Sequence, residues 1–228
     1  MKKVVIFDCG PSLPEVSKQF GCAPDWIIKL LQNKECTFKW VKSYESETVE
    51  HSEGDAWIIT GSPQSVYDEL DWMLDMEDKI RNAQYHNKPV LGICFGHQLI
   101  AKSFGGRVEL NPKGWELGAY PIKLTDRGFK SRILSGFKNH AIVYESHGDC
   151  ITTLPANAVE LALNNKGNQS FKIHGNMYGV QFHPEFSWDI IKKYVSVRSA
   201  AGVVADDPTV SESNEGQVVL HNLIELIL

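Results

Sequence analysis

Pro89-Val90-Leu91-Gly92-Ile93-Cys94-Phe95-Gly96-His97-Gln98 decides how this chain is read. An apolar, β-favouring segment runs into Gly-x-Cys-x-Gly, and a helix-compatible segment, Gln98-Leu99-Ile100-Ala101-Lys102, follows. That is the layout of a nucleophile elbow with cysteine in place of serine. Small residues at 92 and 96 permit the sharp strand-to-helix turn. The turn sets the Cys94 sulfur at a helix N-terminus, where unpaired N–H groups favour a thiolate. Taken by itself, so short a motif fits a small buried cysteine equally well.

A second segment adds weight. Met177 to Phe186 reads as a short buried strand ending in His183-Pro184-Glu185. Residues two apart on an extended chain share a side, so His183 and Glu185 are expected to pair. Glu185 would accept from one imidazole nitrogen and leave the other facing a thiol. Pro184 has no N–H and stiffens the backbone between them, as suits a strand end. Cys94, His183 and Glu185 thus predict a catalytic triad on an α/β sheet.

Strand-like and helix-like runs alternate around these motifs, which predicts a largely parallel sheet covered on both faces. Strands are expected at 4–8, 37–41, 56–60 and 90–94. Helices are expected at 26–32 and at 70–85, the latter with apolar Met73, Leu74, Ile80 and Ala83. Gly105-Gly106 signals the end of the helix after Cys94. Short strands dominate from Arg107 to Phe182, at 120–124, 141–145, 159–163, 170–173 and 178–182. A helix is expected at 188–197. Residues 202–216 read as a loop or linker, and Gln217 to Leu228 as an apolar helix docked on the same domain. The division is therefore one domain over 1–200, followed by loop and helix over 201–228.

The 228 residues suffice for one α/β domain, and 43% hydrophobic with 22% charged residues is ordinary for a soluble protein. The net charge is −5 with no Lys/Arg-rich run, so neither nucleic acid nor an anionic membrane is an expected partner. Met1 to Phe7 reads as a first strand rather than a signal peptide. Five cysteines without a Cys-x-x-Cys pair point to a reducing cytoplasm and against a disulfide framework or zinc site. The eight histidines show no metal-binding spacing, and no metal or cofactor is expected.

The ordered motifs resemble the class I (triad) glutamine amidotransferases over roughly residues 1–200. Ile59-Thr60-Gly61-Ser62-Pro63-Gln64-Ser65-Val66 resembles the family's oxyanion strand and loop. Gly92 to Gln98, then Phe104-Gly105-Gly106, resembles its nucleophile motif. Ser146-His147-Gly148-Asp149 resembles the glutamine-contacting segment of the GMP synthetase branch, and His183-Pro184-Glu185 its His-x-Glu. The resemblance implies a flavodoxin-like fold: a mostly parallel central sheet with helices on both faces and an additional small antiparallel sheet. It implies oxyanion donors at Gly61, Ser62 and Phe95, with Ser62 standing where the family usually has glycine. It also implies substrate contacts from Gln98, Ser146, His147 and Gly148. His97 is taken as structural, and Lys113-Gly114-Trp115-Glu116 has no assigned role.

The expected reaction is hydrolysis of the glutamine side-chain amide through a Cys94 thioester. No phosphate loop is present, so ammonia would pass to a separate synthetase subunit, as in GMP synthesis within purine biosynthesis. The alternatives are a stand-alone γ-glutamyl peptidase or hydrolase, and a non-catalytic binding module on the same fold.

Overall fold

The computed structural model describes residues 1–32, 35–173, 175–205 and 210–228. Part of the expected 202–216 loop lies outside the described residues. Four strands run parallel with one another: β1 (Lys2–Asp8), β2 (Cys36–Lys42), β3 (Ala56–Ile59) and β4 (Val90–Ile93). A late strand, β11 (Met177–Val180), joins them in parallel beside β4, giving the order β2-β1-β3-β4-β11. The sheet then continues antiparallel through β10 (Asn168–Ile173), β9 (Val159–Leu163), β6 (Glu116–Leu124) and β7 (Ala141–His147). A separate antiparallel pair, β5 (Arg107–Leu110) with β8 (Asp149–Thr153), is the expected small sheet.

Alternation along β1 shows why the parallel half is covered twice. Val4 and Ile6 enter one core with Ile58, Leu91 and Ile93. Val5 and Phe7 enter the other with Trp57 and Ile59. Successive side chains on a strand face opposite ways, so an unbroken apolar run needs a helix layer on each side. On the first face lie α2 (Ala23–Leu31) and α6 (Val218–Glu225); on the second lie α3 (Asp71–Tyr85) and α4 (Phe95–Ser103). Along α3, Met73, Ile80 and Ala83 are buried as expected, but Leu74 is exposed; Trp72 and Met76 fill the face instead.

Eight residues of α6 would not hold a helix in isolation. Its Val219, Leu220, Leu223 and Ile224 are fully buried, each contributing about 1.5–3 kcal/mol. Asn222 Nδ2 adds hydrogen bonds to the carbonyls of Ile133 and Ser135, both at 2.9 Å. A third apolar cluster joins α1 (Pro14–Phe20), α2, β7 and α5 (Trp188–Ala200) through Val16, Trp26, Tyr144, Phe186 and Tyr194. It lies beside the carboxyl ends of the parallel strands, where open α/β sheets place their sites. No described helix is long and apolar enough to cross a membrane.

Candidate catalytic site

Strand β4 ends at Ile93, and the next residue, Cys94, turns the chain into α4 with φ 51° and ψ −102°. Such a backbone costs a non-glycine residue about 1–3 kcal/mol and persists only where its surroundings enforce it. Here the Cys94 N–H is tied to the Val180 carbonyl at 2.9 Å. Neighbouring glycines make the turn possible. A Cβ on Gly92 would lie 2.4 Å from the Gly96 backbone, and one on Gly96 would lie 2.3 Å from the Ile59 carbonyl oxygen. Phe95 is the first residue of α4, so its N–H has no acceptor within the helix.

His183 reaches Cys94 from beyond the end of β11. The expected strand at 178–182 stops at Val180, and His183 and Glu185 stand in a turn closed by Phe186 N–H to the His183 carbonyl at 3.3 Å. Their pairing is therefore made by a turn and not by strand alternation. Glu185 Oε1 lies 2.7 Å from His183 Nδ1, and both residues are buried. The ring stacks on Phe186 with centroids 4.0 Å apart, and Phe186 stacks in turn on Tyr194. Asn214 Nδ2 donates to the carbonyls of His183 and Phe186 at 3.1 and 3.0 Å, fastening the turn from outside. Burial opposes a charge on this imidazole, but Glu185 and then Cys94 outweigh that effect. The His183 pKa goes up to about 10.

Gly61 borders both His183 and Cys94. A Cβ there would stand 3.2 Å from His183 Cε1 and 3.7 Å from Cys94 Cβ. Its neighbour Ser62 turns its hydroxyl back to accept the Gln64 N–H at 3.1 Å. The Gly61-Ser62 turn is thus held against Cys94 beside the start of α4, with Gly96 N–H bonded to the Thr60 carbonyl at 3.2 Å.

The remaining expected residues divide. Ser146 and His147 close β7 and Asp149 opens β8, so this segment belongs to two strands rather than following one. Ser146 Oγ is buried without a hydrogen-bond partner and borders Cys94. Gly148 packs under Trp115, where a Cβ would come within 2.7 Å of the indole. Gln98 Nε2 is engaged by the Asp149 carbonyl at 3.1 Å and Gln181 Oε1 at 3.0 Å. His147 has its ring held in the protein. Nδ1 contacts the Asp149 carbonyl at 2.9 Å, while Nε2 lies 3.3 Å from Glu116 and 3.1 Å from Glu145. Nε2 thus has an ion-pair contact with each carboxylate but no hydrogen bond. Burial lowers its proton affinity, yet Glu116 and Glu145 more than reverse this, and its pKa is well raised. The same burial pushes Glu145 up to about 7. These three residues form the one group among the described residues whose ligand atoms could surround a metal ion. Their charges compensate as a cation between two carboxylates, while both Glu145 oxygens and His147 Nε2 make no hydrogen bond.

Two cavities meet at Cys94. One, on the Asp149 side, is lined by Ser65, Tyr67, Gln98, Trp115, Ser146 and Asp149. The other, on the Glu185 side, is lined by Pro11, Trp26, Gly61, Phe186 and Tyr194. Trp26, Trp115, Tyr194 and Arg198 had no assigned role in the sequence. Trp115 alone carried a signal, standing in the unassigned Lys113-Gly114-Trp115-Glu116 segment.

The sequence model of the class-I glutamine amidotransferase family matches residues 22–195. Gamma-glutamyl peptidase 4 of Arabidopsis thaliana is 30% identical over 196 residues, covering 83% of this chain and 78% of that protein. A glutamine-hydrolysing GMP synthase of Borreliella burgdorferi is 40% identical over 148 residues, covering 60% of this chain but 27% of the synthase. Among solved structures, a glutamine amidotransferase from Methylobacillus flagellatus superposes with a TM-score of 0.77 at 20% identity, covering 100% of this chain and 96% of the other.

Proposed function

Because the chain belongs to the class-I glutamine amidotransferase family, we propose that it hydrolyses the γ-amide of a glutamyl substrate through a thioester on Cys94, with glutamine as the simplest substrate. The observation that carries this reading is the convergence of Cys94, His183 and Glu185 at the Gly61 turn.

In the first half-reaction the Cys94 thiolate attacks the γ-carbonyl carbon, and the carbonyl π pair moves onto oxygen. The Phe95 N–H and the Gly61-Ser62 turn receive that oxyanion; losing one such donor typically costs about 2.7–4 kcal/mol. Collapse expels the nitrogen, which takes its proton from the His183 imidazolium and leaves as ammonia. In the second half-reaction neutral His183 takes a proton from water, and the resulting hydroxide attacks the thioester. The thiolate departs, and the products are glutamate and ammonia for one water consumed. Glu185 keeps the imidazole in one tautomer and stabilises its charged form. On the acyl side, Asp149 offers a carboxylate to the substrate's ammonium group and Ser146 a free hydroxyl.

We take the ammonia to pass to a separate synthetase subunit of the GMP synthetase kind, in the cytoplasm; the match to the synthase's glutaminase portion supports this. A second reading, a stand-alone γ-glutamyl peptidase, is favoured by the cavity beyond His183 and by the match to the peptidase along most of both chains. Glutamate release from glutamine and from γ-glutamyl dipeptides, by wild type and Cys94→Ala, tests both. The hydrolase reading predicts release that vanishes in C94A; unchanged release in C94A would overturn it. Preference for dipeptides would move the assignment to the peptidase.

A further inference from the structure

One cation borders both cavities at Cys94. Arg198 reaches them from the last turn of α5. Its side chain is half-buried, and Nε is sealed from water without a hydrogen-bond partner. The guanidinium lies 4.7 Å from the Trp115 ring centre and 5.8 Å from that of Tyr194. Elsewhere Arg81 pairs with Glu77 and Asp78, and Arg107 with Glu109. Arg198 has no such carboxylate among the described residues. Aromatic faces hold its plane, but they do not replace the hydrogen bonds lost on burial.

The two cavities differ in what they lack. The Asp149 side carries the Asp149 carboxylate and Gln98, and Ser146 borders both cavities. The Glu185 side carries Pro11, Trp26, Phe186 and Tyr194, with the hydroxyls of Ser12 and Ser62 at its edge and Arg198 as its cation besides His183. It is also the side on which His183 must meet the departing nitrogen. Ammonia needs neither an apolar wall nor a cation. An amino acid leaving through its α-nitrogen has a side chain for the wall and a carboxylate for the guanidinium fork.

We propose that the cavity beyond His183 is a subsite for an amino-acid leaving group whose carboxylate pairs with Arg198, so that the chain cleaves γ-glutamyl-amino acids. The proposal rests on the thioester reading above in its peptidase form rather than its synthetase-coupled one, and adds the leaving-group chemistry. Atoms balance as for glutamine: the C–N bond breaks, His183 protonates the amino acid's nitrogen, and water completes the glutamate.

The test compares γ-glutamyl-leucine with its C-terminal amide, with glutamine as reference. In wild type the free acid is expected to exceed the amide by about 10- to 100-fold in kcat/KM, mainly through KM. In Arg198→Met that gap should shrink to about threefold or less, and Arg198→Lys should restore part of it. Equal turnover of acid and amide by wild type overturns the proposal without recourse to any variant. Equal losses on both dipeptides in R198M also overturn it, because they would place the guanidinium on the glutamyl carboxylate that both share. Turnover of glutamine with none of the dipeptide removes the subsite and leaves the hydrolase reading standing. Failure of every substrate, with no Cys94-dependent release, removes both.

Discussion

Replacing Glu185 by glutamine keeps the size of the side chain and removes its charge. The carboxylate oxygen lies 2.7 Å from His183 Nδ1 in a buried site. Burial alone would hold the imidazole below its ordinary value, yet it is carried from 6.5 up to about 10, with Glu185 the foremost of the raising influences. Removing one partner of a buried, hydrogen-bonded charge pair costs on the order of 2–5 kcal/mol, and Glu185→Gln forfeits it at the steps where His183 carries a proton. The expected result is a fall of roughly 10²-fold in kcat with little change in KM. A glutamine N–H turned toward Nδ1 would force the ring proton onto the nitrogen that must serve the thiol, and the loss would approach ~10⁴-fold. Steady-state glutamate release measures the effect, with the pH dependence of Cys94 alkylation as a second readout. In the variant, the alkylation profile should lose the plateau that a persistent imidazolium gives through neutral pH. A folded E185Q protein within about threefold of wild type would refute the reasoning.

Three further outcomes follow from the same geometry. Gly61→Ala brings a methyl to 3.2 Å from His183 Cε1; a few tenths of an ångström of ring displacement should lower kcat about tenfold while melting changes little. His147→Asn strips the cation from between Glu116 and Glu145, which should cost about 3 kcal/mol and lower the Tm by roughly 6–12 °C at alkaline pH; calorimetry should show the loss shrinking on acidification, as Glu145 gains a proton. His97 is fully buried, and that burial lowers its pKa from 6.5 to about 3. The unfolded chain therefore binds more protons than the folded one between those values, and stability falls as pH drops below 6.5, by up to ~1.4 kcal/mol per pH unit; urea titrations should show a shallower acid slope in His97→Phe.

What could be read from the chain was whatever local spacing determines. Gly92 and Gly96 are needed because backbones touch on either side of Cys94, and that demand is written in adjacent residues. The His183–Glu185 pair is legible for the same reason, although a turn beyond the strand end makes it. The ring of His147 could not be placed, because its partners come from strand register. Glu116 lies opposite it across β6 and β7, and Glu145 precedes it by two on the same face. Arg198 was invisible for a stronger reason. Its neighbours Trp115 and Tyr194 come from a loop and from its own helix, and only the packing of α5 brings them to Cys94. Residue spacing locates neither seven-residue α1 nor the strands β5 and β8, whose small sheet only the family resemblance implies, since such brief segments carry too little periodicity to register.

Peptide mapping by mass spectrometry after exposure to a glutamine-like electrophile tests the central claim most directly. The account predicts a single covalent adduct, on Cys94 among the five cysteines, that excess glutamine prevents and His183→Ala slows severely. Modification spread over Cys9, Cys22, Cys36 and Cys150, or labelling of Cys94 that neither glutamine nor the loss of His183 affects, would contradict it.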